Sequence, residues 1–308
     1  MIGVAAVTTT GIVKRFGRRT ALDGMTLAVP RGAVMGLVGA NGAGKTTWML
    51  TVAGLIRPTA GTIDLLGAGP FDAAVHGGRV AVLPQDAELP AELSPFALLK
   101  GFARLQGLSP STAAKDAERL LEIVNLKDRA HSAVRTLSHG MRKRVMVAQC
   151  FVGSPELVLL DEPLNGLDPV EAGRLRRFIR SRRGRQTIMV SSHLLADIEQ
   201  ICTHVAFVDK GRTVRVDTLG AITHAEERTV YTLSHEPTDY AALEAAVPEA
   251  TFEWSQTRGT LVCSMGSAAG GVAEINRRLL PVLLEQTDVL AVSAGVSLEE
   301  ALWEQDRK

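Results

Sequence analysis

The stretch GANGAGKT, residues 39–46, decides the fold class of this chain of 308 residues. It matches the pattern GxxxxGK[ST], with an apolar segment at residues 33–38 before it and a helix-compatible segment at residues 46–55 after it. Glycines let backbone N–H groups converge on phosphate oxygens without steric hindrance from a Cβ atom. The positive N-terminus of the following helix strengthens that attraction. A strand, a glycine-rich loop and a helix in this order predict a P-loop that binds a nucleoside triphosphate.

The side chains of this loop predict how the triphosphate is held. Lys45 brings a mobile positive charge to the β and γ oxygens, and Thr46 offers a hydroxyl group to Mg²⁺, which prefers oxygen ligands. The residues of the loop that we expect to contact the nucleotide are Gly39, Asn41, Gly42, Gly44, Lys45, Thr46 and Thr47.

Two acids end a second apolar strand, LVLLDE at residues 157–162. Open α/β sheets bind ligands at the carboxyl ends of their strands, so we expect Asp161 to act on Mg²⁺ through a water molecule. Glu162 points in a different direction and is the candidate to polarise the attacking water. A strand end capped by two solvated acids is the alternative interpretation.

Hydrophobic patterns predict two domains. Alternating strands and helices favour an α/β domain over residues 1–220, with buried strands such as 156–160 and 187–191. Residues 221–308 are predicted to form a small α+β accessory domain, whose βαββαβ order is typical of a ferredoxin-like fold.

Two further segments of the first domain have clear patterns. Strands are predicted at residues 3–10 and 25–29, separated by a basic turn at residues 14–19. Apolar residues recur at helical spacing over residues 94–124.

The composition excludes several classes of function. Lys and Arg total 34 against 33 for Asp and Glu, giving a net charge of +1, so the basic excess of a nucleic-acid-binding protein is missing. No uncharged apolar stretch reaches about 18 residues, so no membrane span is predicted and any membrane role requires a partner. Cys150, Cys202 and Cys263 lack metal-ligand spacing and are expected to be buried free thiols.

Three more motifs stand in a fixed order with those above: LSHGM at residues 137–141, NGLDP at 165–169 and SSH at 191–193. With this ordered set, residues 7–218 resemble the nucleotide-binding domains of ABC transporters. The resemblance implies a P-loop NTPase of ABC type with an antiparallel β subdomain and a helical subdomain. It also implies that the domain binds ATP and Mg²⁺ and hydrolyses the ATP.

The resemblance assigns roles to single residues. Phe16 takes the place of the aromatic residue that stacks on adenine, although the family more often has tyrosine there. Gln85 matches the glutamine that senses Mg²⁺ and the γ-phosphate, and His193 matches the histidine that contacts the γ-phosphate. With Glu162, these two complete the predicted catalytic set. Asp168 matches the loop that communicates across the dimer.

The signature motif departs from the family form LSGGQ. Ser138 and Gly140 remain, and by resemblance they donate hydrogen bonds to the γ-phosphate bound by the opposite subunit. His139 replaces a glycine and Met141 replaces the closing glutamine. Two alternatives follow from the histidine: an active ATPase, or a composite site that hydrolyses slowly.

The partners are also implied by the resemblance. They are a second copy of this chain in a homodimer and a separate transmembrane permease, whose coupling helix is expected near residues 85–108. Pro95, Phe96, Leu99 and Phe102 are candidates to line that groove, or else to form the core of the helical subdomain. The implied location is peripheral, at the cytoplasmic face of the plasma membrane.

The C-terminal segment VSLEEAL, residues 296–302, is similar to the ending of ATPases of ABC-2-type exporters and favours export. A regulatory or dimer-stabilising tail is the alternative. For the whole chain, the rival functions are a soluble ABC ATPase that acts on ribosomes or DNA, and a resistance ATPase that binds a drug itself.

Overall fold

The computed structural model describes residues 5–223, 228–265, 272–295 and 297–299. The chain divides into two compact units, Met1–Val216 and Asp217–Lys308. Each unit has its own hydrophobic core.

The described elements that begin in the first unit follow a mixed order. They are β1 (Ala5–Phe16), β2 (Arg19–Pro30), β3 (Val34–Val38), α1 (Lys45–Val52), β4 (Ala60–Leu65), α2 (Ala73–His76), β5 (Val80–Leu83), α3 (Pro95–Leu105), α4 (Pro110–Ile123), α5 (His139–Gln149), β6 (Leu157–Asp161), α6 (Pro169–Arg180), β7 (Thr187–Ser192), α7 (Leu195–Ile201), β8 (His204–Asp209) and β9 (Arg212–Thr218).

The first sheet is antiparallel, and its described strands lie in the order β2-β1-β4. In β2, buried Met25, Leu27 and Val29 alternate with exposed residues. This period of two turns one face of the strand toward the core, where Trp48 of α1 is fully buried in the same cluster.

The second sheet contains six of the described strands in the order β5-β6-β7-β3-β8-β9. Strands β6, β7 and β3 are parallel neighbours and are buried along their whole length. Their register pairs Asp161 with Ser191 and Val38 with Ser192. The carboxyl ends of three strands therefore meet at one edge of the sheet, which is where ligands bind in such folds.

Helices α3, α4 and α5 contact one another and form the helical part of the first unit. Two serine-proline pairs start the first two of these helices. The hydroxyl groups of Ser94 and Ser109 accept hydrogen bonds from backbone N–H groups of α3 and α4, and each serine is followed by proline. The segment 94–124, read from the sequence as one helical region, is therefore two helices.

The second unit has the predicted ferredoxin-like order. Its described elements are α8 (Leu219–Ile222), β10 (Arg228–Leu233), α9 (Tyr240–Ala246), β11 (Ala250–Ser255), β12 (Thr260–Met265), α10 (Val272–Leu284) and β13 (Val289–Ala294). The strands lie in the order β11-β12-β10-β13, and the neighbouring strands described here pair antiparallel. Buried Tyr231 and Leu261 on the sheet pack with Leu243 of α9 and Leu279 of α10.

The basic segment 14–19 differs from its prediction as a turn. Strands β1 and β2 continue through it until Phe16 pairs with Arg19, so that only Gly17 and Arg18 form the turn. Because the side chains from Arg15 to Arg19 are exposed, charged residues do not prevent the backbone pairing from continuing. Of the C-terminal segment 296–302, residues 296 and 300–302 lie outside the described residues.

The cysteines are free and buried, as expected. Burial raises the pKa of the Cys150 thiol to about 12 and that of Cys263 to about 11. Neither thiol is in the reactive thiolate form at neutral pH.

Gly211 joins the two sheets behind the phosphate loop. Its N–H donates to the Ala43 carbonyl at 2.8 Å, and its own carbonyl accepts from the Asp23 N–H at 2.9 Å. Its φ angle is +76°, and a Cβ atom there would lie 2.6 Å from the Ala21 carbonyl oxygen. Both the backbone conformation and the close contact therefore require glycine.

We predict that Gly211→Ala lowers the free energy of unfolding by about 2–4 kcal/mol, because backbone strain and a clash with β2 add together. Gly67→Ala is the matched control, since Gly67 has φ +80° with no atom within 4 Å of the added Cβ. It should cost only about 1–2 kcal/mol. Urea unfolding of both variants measures the difference, and equal losses would contradict the proposed clash.

Candidate active site

A cavity of about 370 Å³ lies at the carboxyl ends of β3, β6 and β7. It is lined by Arg19, Ala21, Asn41, Gly42, Gly44, Lys45, Thr46, Thr47, Gln85, Asp161, Glu162, Asn165 and His193. Most of the residues predicted for nucleotide binding, metal binding and catalysis thus share one cavity within the first unit.

The backbone conformation of the phosphate loop depends on its glycines, and its carbonyl groups bind the side chain of Lys45. Gly42 and Gly44 have φ angles of +84° and +108°, which favour glycine. The Lys45 side chain is buried, and its Nζ donates to the carbonyl oxygens of Gly39 at 2.6 Å and Ala40 at 3.1 Å. The ammonium group is therefore fixed inside the curve of the loop, where the N-terminus of α1 also begins.

Gly39 itself does not line the cavity. A Cβ atom at this position would lie 2.2 Å from the carbonyl oxygen of Val208, so glycine is required by packing against β8. Its carbonyl is the one that accepts from Lys45. The residue supports the loop by its small size and by this hydrogen bond.

Ser191 connects the two acids at the end of β6. Its hydroxyl group donates to Asp161 Oδ1 and accepts from the backbone N–H of Glu162 at 2.9 Å. One side chain on β7 thereby fixes both the first carboxylate and the backbone that carries the second. The SSH motif contains Ser191, but the motif alone does not reveal this role.

The second oxygen of Asp161 provides a test of metal binding. Asp161 is 2% exposed, and Oδ2 is buried with no hydrogen-bond partner among the described residues. A buried carboxylate oxygen without a partner is costly unless a cation or water satisfies it. Thr46, with a hydroxyl oxygen, and Gln85, with an amide oxygen, line the same cavity, so the residues present offer the oxygen donors that Mg²⁺ prefers.

Glu162 has an unusual backbone conformation, and two side chains contact its carboxylate. Its φ angle is +48°, a left-handed conformation that is uncommon for residues other than glycine and that clusters at functional sites. His193 Nδ1 lies 3.0 Å from Oε2, and Asn165 Nδ2 donates to the same oxygen at 3.3 Å. Both contacts engage Oε2, and they orient the carboxylate within the cavity.

Lys143 is a buried cation near these acids that sequence reasoning missed. It belongs to α5 and is 6% exposed. Burial lowers the pKa of Lys143, while the nearby carboxylates of Asp161 and Glu162 raise it. Helix α5, which begins within the LSHGM motif, thus brings positive charge toward the carboxylates of its own chain.

The remaining predicted residues lie outside the cavity. Ser138 is the N-cap of α5 and accepts from the Met141 N–H at 3.2 Å, while Asp168 caps α6 by accepting from the N–H groups of Val170 and Glu171. Ser138 is exposed, and Gly140 is half-buried in the first turn of α5. By resemblance, Ser138 and Gly140 contact a nucleotide on a second subunit and Asp168 communicates across the dimer. The geometry of one chain leaves these roles predictions.

His139 packs against the loop that precedes Asp168. A Cβ atom at Gly166 would lie 3.4 Å from two atoms of the His139 ring. The imidazole therefore rests on its own chain, beside Gly166.

Phe16 lies at the end of the β1–β2 hairpin, outside the cavity lining. Its side chain is 48% exposed, and Lys14 Nζ lies 4.8 Å from the ring centroid over one face. Its cross-strand partner Arg19 does line the cavity, although sequence reasoning did not select it. Stacking of Phe16 on adenine stays a prediction from the resemblance.

The fold and the site together define a P-loop nucleoside triphosphatase. The family described as "ABC transporter" matches residues 22–165 of the chain. This segment runs from β2 through the phosphate loop, Gln85 and the LSHGM motif to the acids.

The chain is also similar to individual proteins. It is 37% identical over 209 residues to a Nod factor export ATP-binding protein I of Ralstonia nicotianae, covering 66% of this chain and 64% of that protein. It is 37% identical over 211 residues to the daunorubicin resistance ATP-binding protein DrrA3 of Streptomyces coeruleorubidus, covering 68% and 67%. An uncharacterized ABC transporter ATP-binding protein of Bacillus subtilis is 30% identical, covering 75% and 76%.

Solved structures share the architecture. One ATP-binding subunit of an ABC transporter superposes with a TM-score of 0.65 at 28% identity, covering 71% of this chain and 92% of that one. A dimeric ATP-binding cassette bound to ADP and phosphate gives a TM-score of 0.64 at 19% identity, covering 69% and 98%, and this likeness concerns the fold alone.

The chain belongs to the family of ABC transporter ATP-binding proteins, whose members bind and hydrolyse ATP. The predicted fold class is confirmed. The chain spans about two thirds of the length of the first two relatives named above, 64% and 67%. Among the described residues, no helix is both long enough and apolar enough to cross a bilayer.

We predict that Ser191→Ala reduces kcat for ATP hydrolysis roughly tenfold or more, because the orientation of both acids depends on its hydroxyl. Ser192→Ala is the control, since among the described residues its hydroxyl bonds to the backbone of Leu194 and not to either acid. Steady-state phosphate release measures both variants. Equal activities would contradict the positioning role of Ser191.

Proposed function

We infer that this chain is the energising subunit of an ABC exporter: it binds Mg²⁺-ATP, hydrolyses it in a dimer and drives a separate transmembrane permease. The observation that carries the proposal is the arrangement of Asp161, Glu162 and His193 around Ser191 beside the phosphate loop. Such an arrangement holds a nucleotide and orients a water molecule, and phosphoryl transfer depends on positioning and on electrostatic stabilisation.

Each group of the cavity has a part in the proposed reaction. Lys45 and the N–H groups of the phosphate loop bind the phosphate oxygens, and Thr46, Gln85 and Asp161 are the residues that would hold Mg²⁺. When bound, Mg²⁺ neutralises charge on the β and γ oxygens. Glu162 accepts a proton from the attacking water, and His193 holds the Glu162 carboxylate through Oε2.

A second copy of the chain would complete the site. Ser138, Gly140 and Asp168 lie outside the cavity of their own chain, and Ser138 is exposed at the N-terminus of the 11-residue helix α5. In a closed homodimer these groups would face the γ-phosphate on the partner, where an exposed helix N-terminus favours an anion.

Glu162→Gln should lower the rate of ATP hydrolysis by a factor of about 100 or more and trap an ATP-bound dimer, because the amide accepts no proton from water. Phosphate release and size-exclusion chromatography in Mg²⁺-ATP are the measurements. Glu122→Gln is the control, because Glu122 is an exposed residue of α4, paired only at 4.0 Å with Lys127. Undiminished turnover in Glu162→Gln would remove Glu162 from the role of general base.

A neighbouring groove supports docking of a permease. It has a volume of about 590 Å³ and is lined by Gln85, Asp86, Ala87, Glu88, Leu89, Ala91, Val134, Arg135, His139, Arg142 and Met146. Gln85 also lines the nucleotide cavity, so an occupant of the groove would act directly on a residue of the active site. None of Pro95, Phe96, Leu99 and Phe102 lines the groove, and Leu99 is fully buried in the core.

Docking of a permease in this groove would also determine where the chain is located in the cell. A helix of the permease that enters it would hold the chain at the cytoplasmic face of the plasma membrane as a peripheral subunit. Export is supported by the names of two relatives, which refer to Nod factor export and to daunorubicin resistance.

Co-expression with a candidate transmembrane permease tests the docking proposal. The chain should sediment with membranes that contain the permease, and Glu88→Lys should lower the bound fraction roughly tenfold, because reversing a charge in an interface opposes docking. Glu118→Lys, an exposed charge reversal on α4 outside the groove, is the matched control. Recovery of ribosomal RNA with the chain, and no permease, would support a soluble ABC ATPase instead.

A further inference from the structure

Arg19 has a position that neither the motifs nor the proposed reaction explains. It begins β2 at the end of the hairpin and lines the same cavity as the phosphate loop. A Cβ atom added at Gly42 would lie 3.8 Å from Nη2 of Arg19, so the guanidinium group is beside the loop itself.

The charges around the hairpin distinguish Arg19 from other basic residues nearby. Lys14 donates to the Arg57 carbonyl at 2.9 Å, and Arg212 pairs with Asp23 at 2.7 Å. None of the ion pairs and hydrogen bonds found among the described residues satisfies the guanidinium of Arg19. A second cation thus lines the cavity that already contains Lys45, and a polyanion bound there can contact both.

The hairpin geometry indicates which anion this is. Arg19 and Phe16 are direct cross-strand partners, so their side chains leave the same face of the hairpin. The phosphate loop lies beside the Arg19 guanidinium, and Phe16 lies directly across the strand pair from Arg19 at the hairpin end. A nucleotide whose base reaches Phe16 therefore brings its phosphates past Arg19.

We propose that Arg19 is a binding residue for the phosphate chain of the nucleotide held in the phosphate loop of the same chain. Its planar guanidinium can donate two parallel hydrogen bonds to phosphate oxygens, which an ammonium group cannot do in the same geometry. This inference rests on the proposed function, because it requires that the cavity binds ATP. The proposal adds a second cation, contributed by the antiparallel sheet, to the groups that bind the phosphates.

Nucleotide affinity of the full chain tests the proposal. Competition against a fluorescent ATP analogue, with Mg²⁺ omitted so that nothing is hydrolysed, gives dissociation constants for ATP, ADP and inorganic tripolyphosphate. Arg19→Ala should weaken all three roughly fivefold to twentyfold, as expected for one exposed charge-assisted contact. Arg19→Lys should recover part of the loss, because it restores the charge without the bidentate geometry.

Arg18→Ala is the matched control, because Arg18 is the adjacent exposed arginine in the turn and does not line the cavity. It should bind the three ligands like the wild type. Equal affinities for Arg19→Ala and Arg18→Ala would overturn the inference while leaving the proposed function intact. The inference would also be overturned if Arg19→Ala bound ATP and ADP more weakly but tripolyphosphate as tightly as the wild type. That result would place Arg19 at the nucleoside. A wild-type chain that binds no ATP would overturn the proposed function and this inference together.

Discussion

The active site depends on the parallel register of β6, β7 and β3. That register pairs Asp161 with Ser191 and Val38 with Ser192, and it brings three strand ends to one edge of the sheet. The Ser191 hydroxyl then bonds to Asp161 and to the N–H of Glu162. A shift of one residue in β7 would turn this hydroxyl to the other face of the sheet, and both acids would lose their common partner.

The charges of the cavity follow from what the sheet edge brings together. Two carboxylates at the end of β6 are balanced by Lys45 of the phosphate loop. Lys143 of α5 interacts with the same carboxylates from outside the cavity lining, and both lysines are buried. Arg19 adds a third positive group from a different sheet. Opposite charges held in fixed positions in a partly buried cavity stabilise a highly charged substrate without reorganisation, which is how such sites favour phosphoryl transfer.

Much of this could be predicted from the sequence. The phosphate loop, Asp161, Glu162 and the ferredoxin-like order of the second unit follow from local patterns, because each depends on residues within one strand, loop or helix. The length of the β1–β2 hairpin could not be predicted in this way. Basic residues suggest a turn, but the pairing partner lies on the next strand and allows the ladder to continue to Phe16 and Arg19.

The sequence by itself determined the class of protein and the candidate reacting groups. Glycines, a lysine and a pair of acids have the chemistry to bind a phosphate wherever the chain brings them to one. Only the tertiary structure decided which side chains support those groups. Ser191 lies 30 residues from Asp161 along the chain, and Arg19 meets the phosphate loop from another sheet. Such contacts are set by strand register and by the packing of one sheet beside another, and neither leaves a local pattern in the sequence.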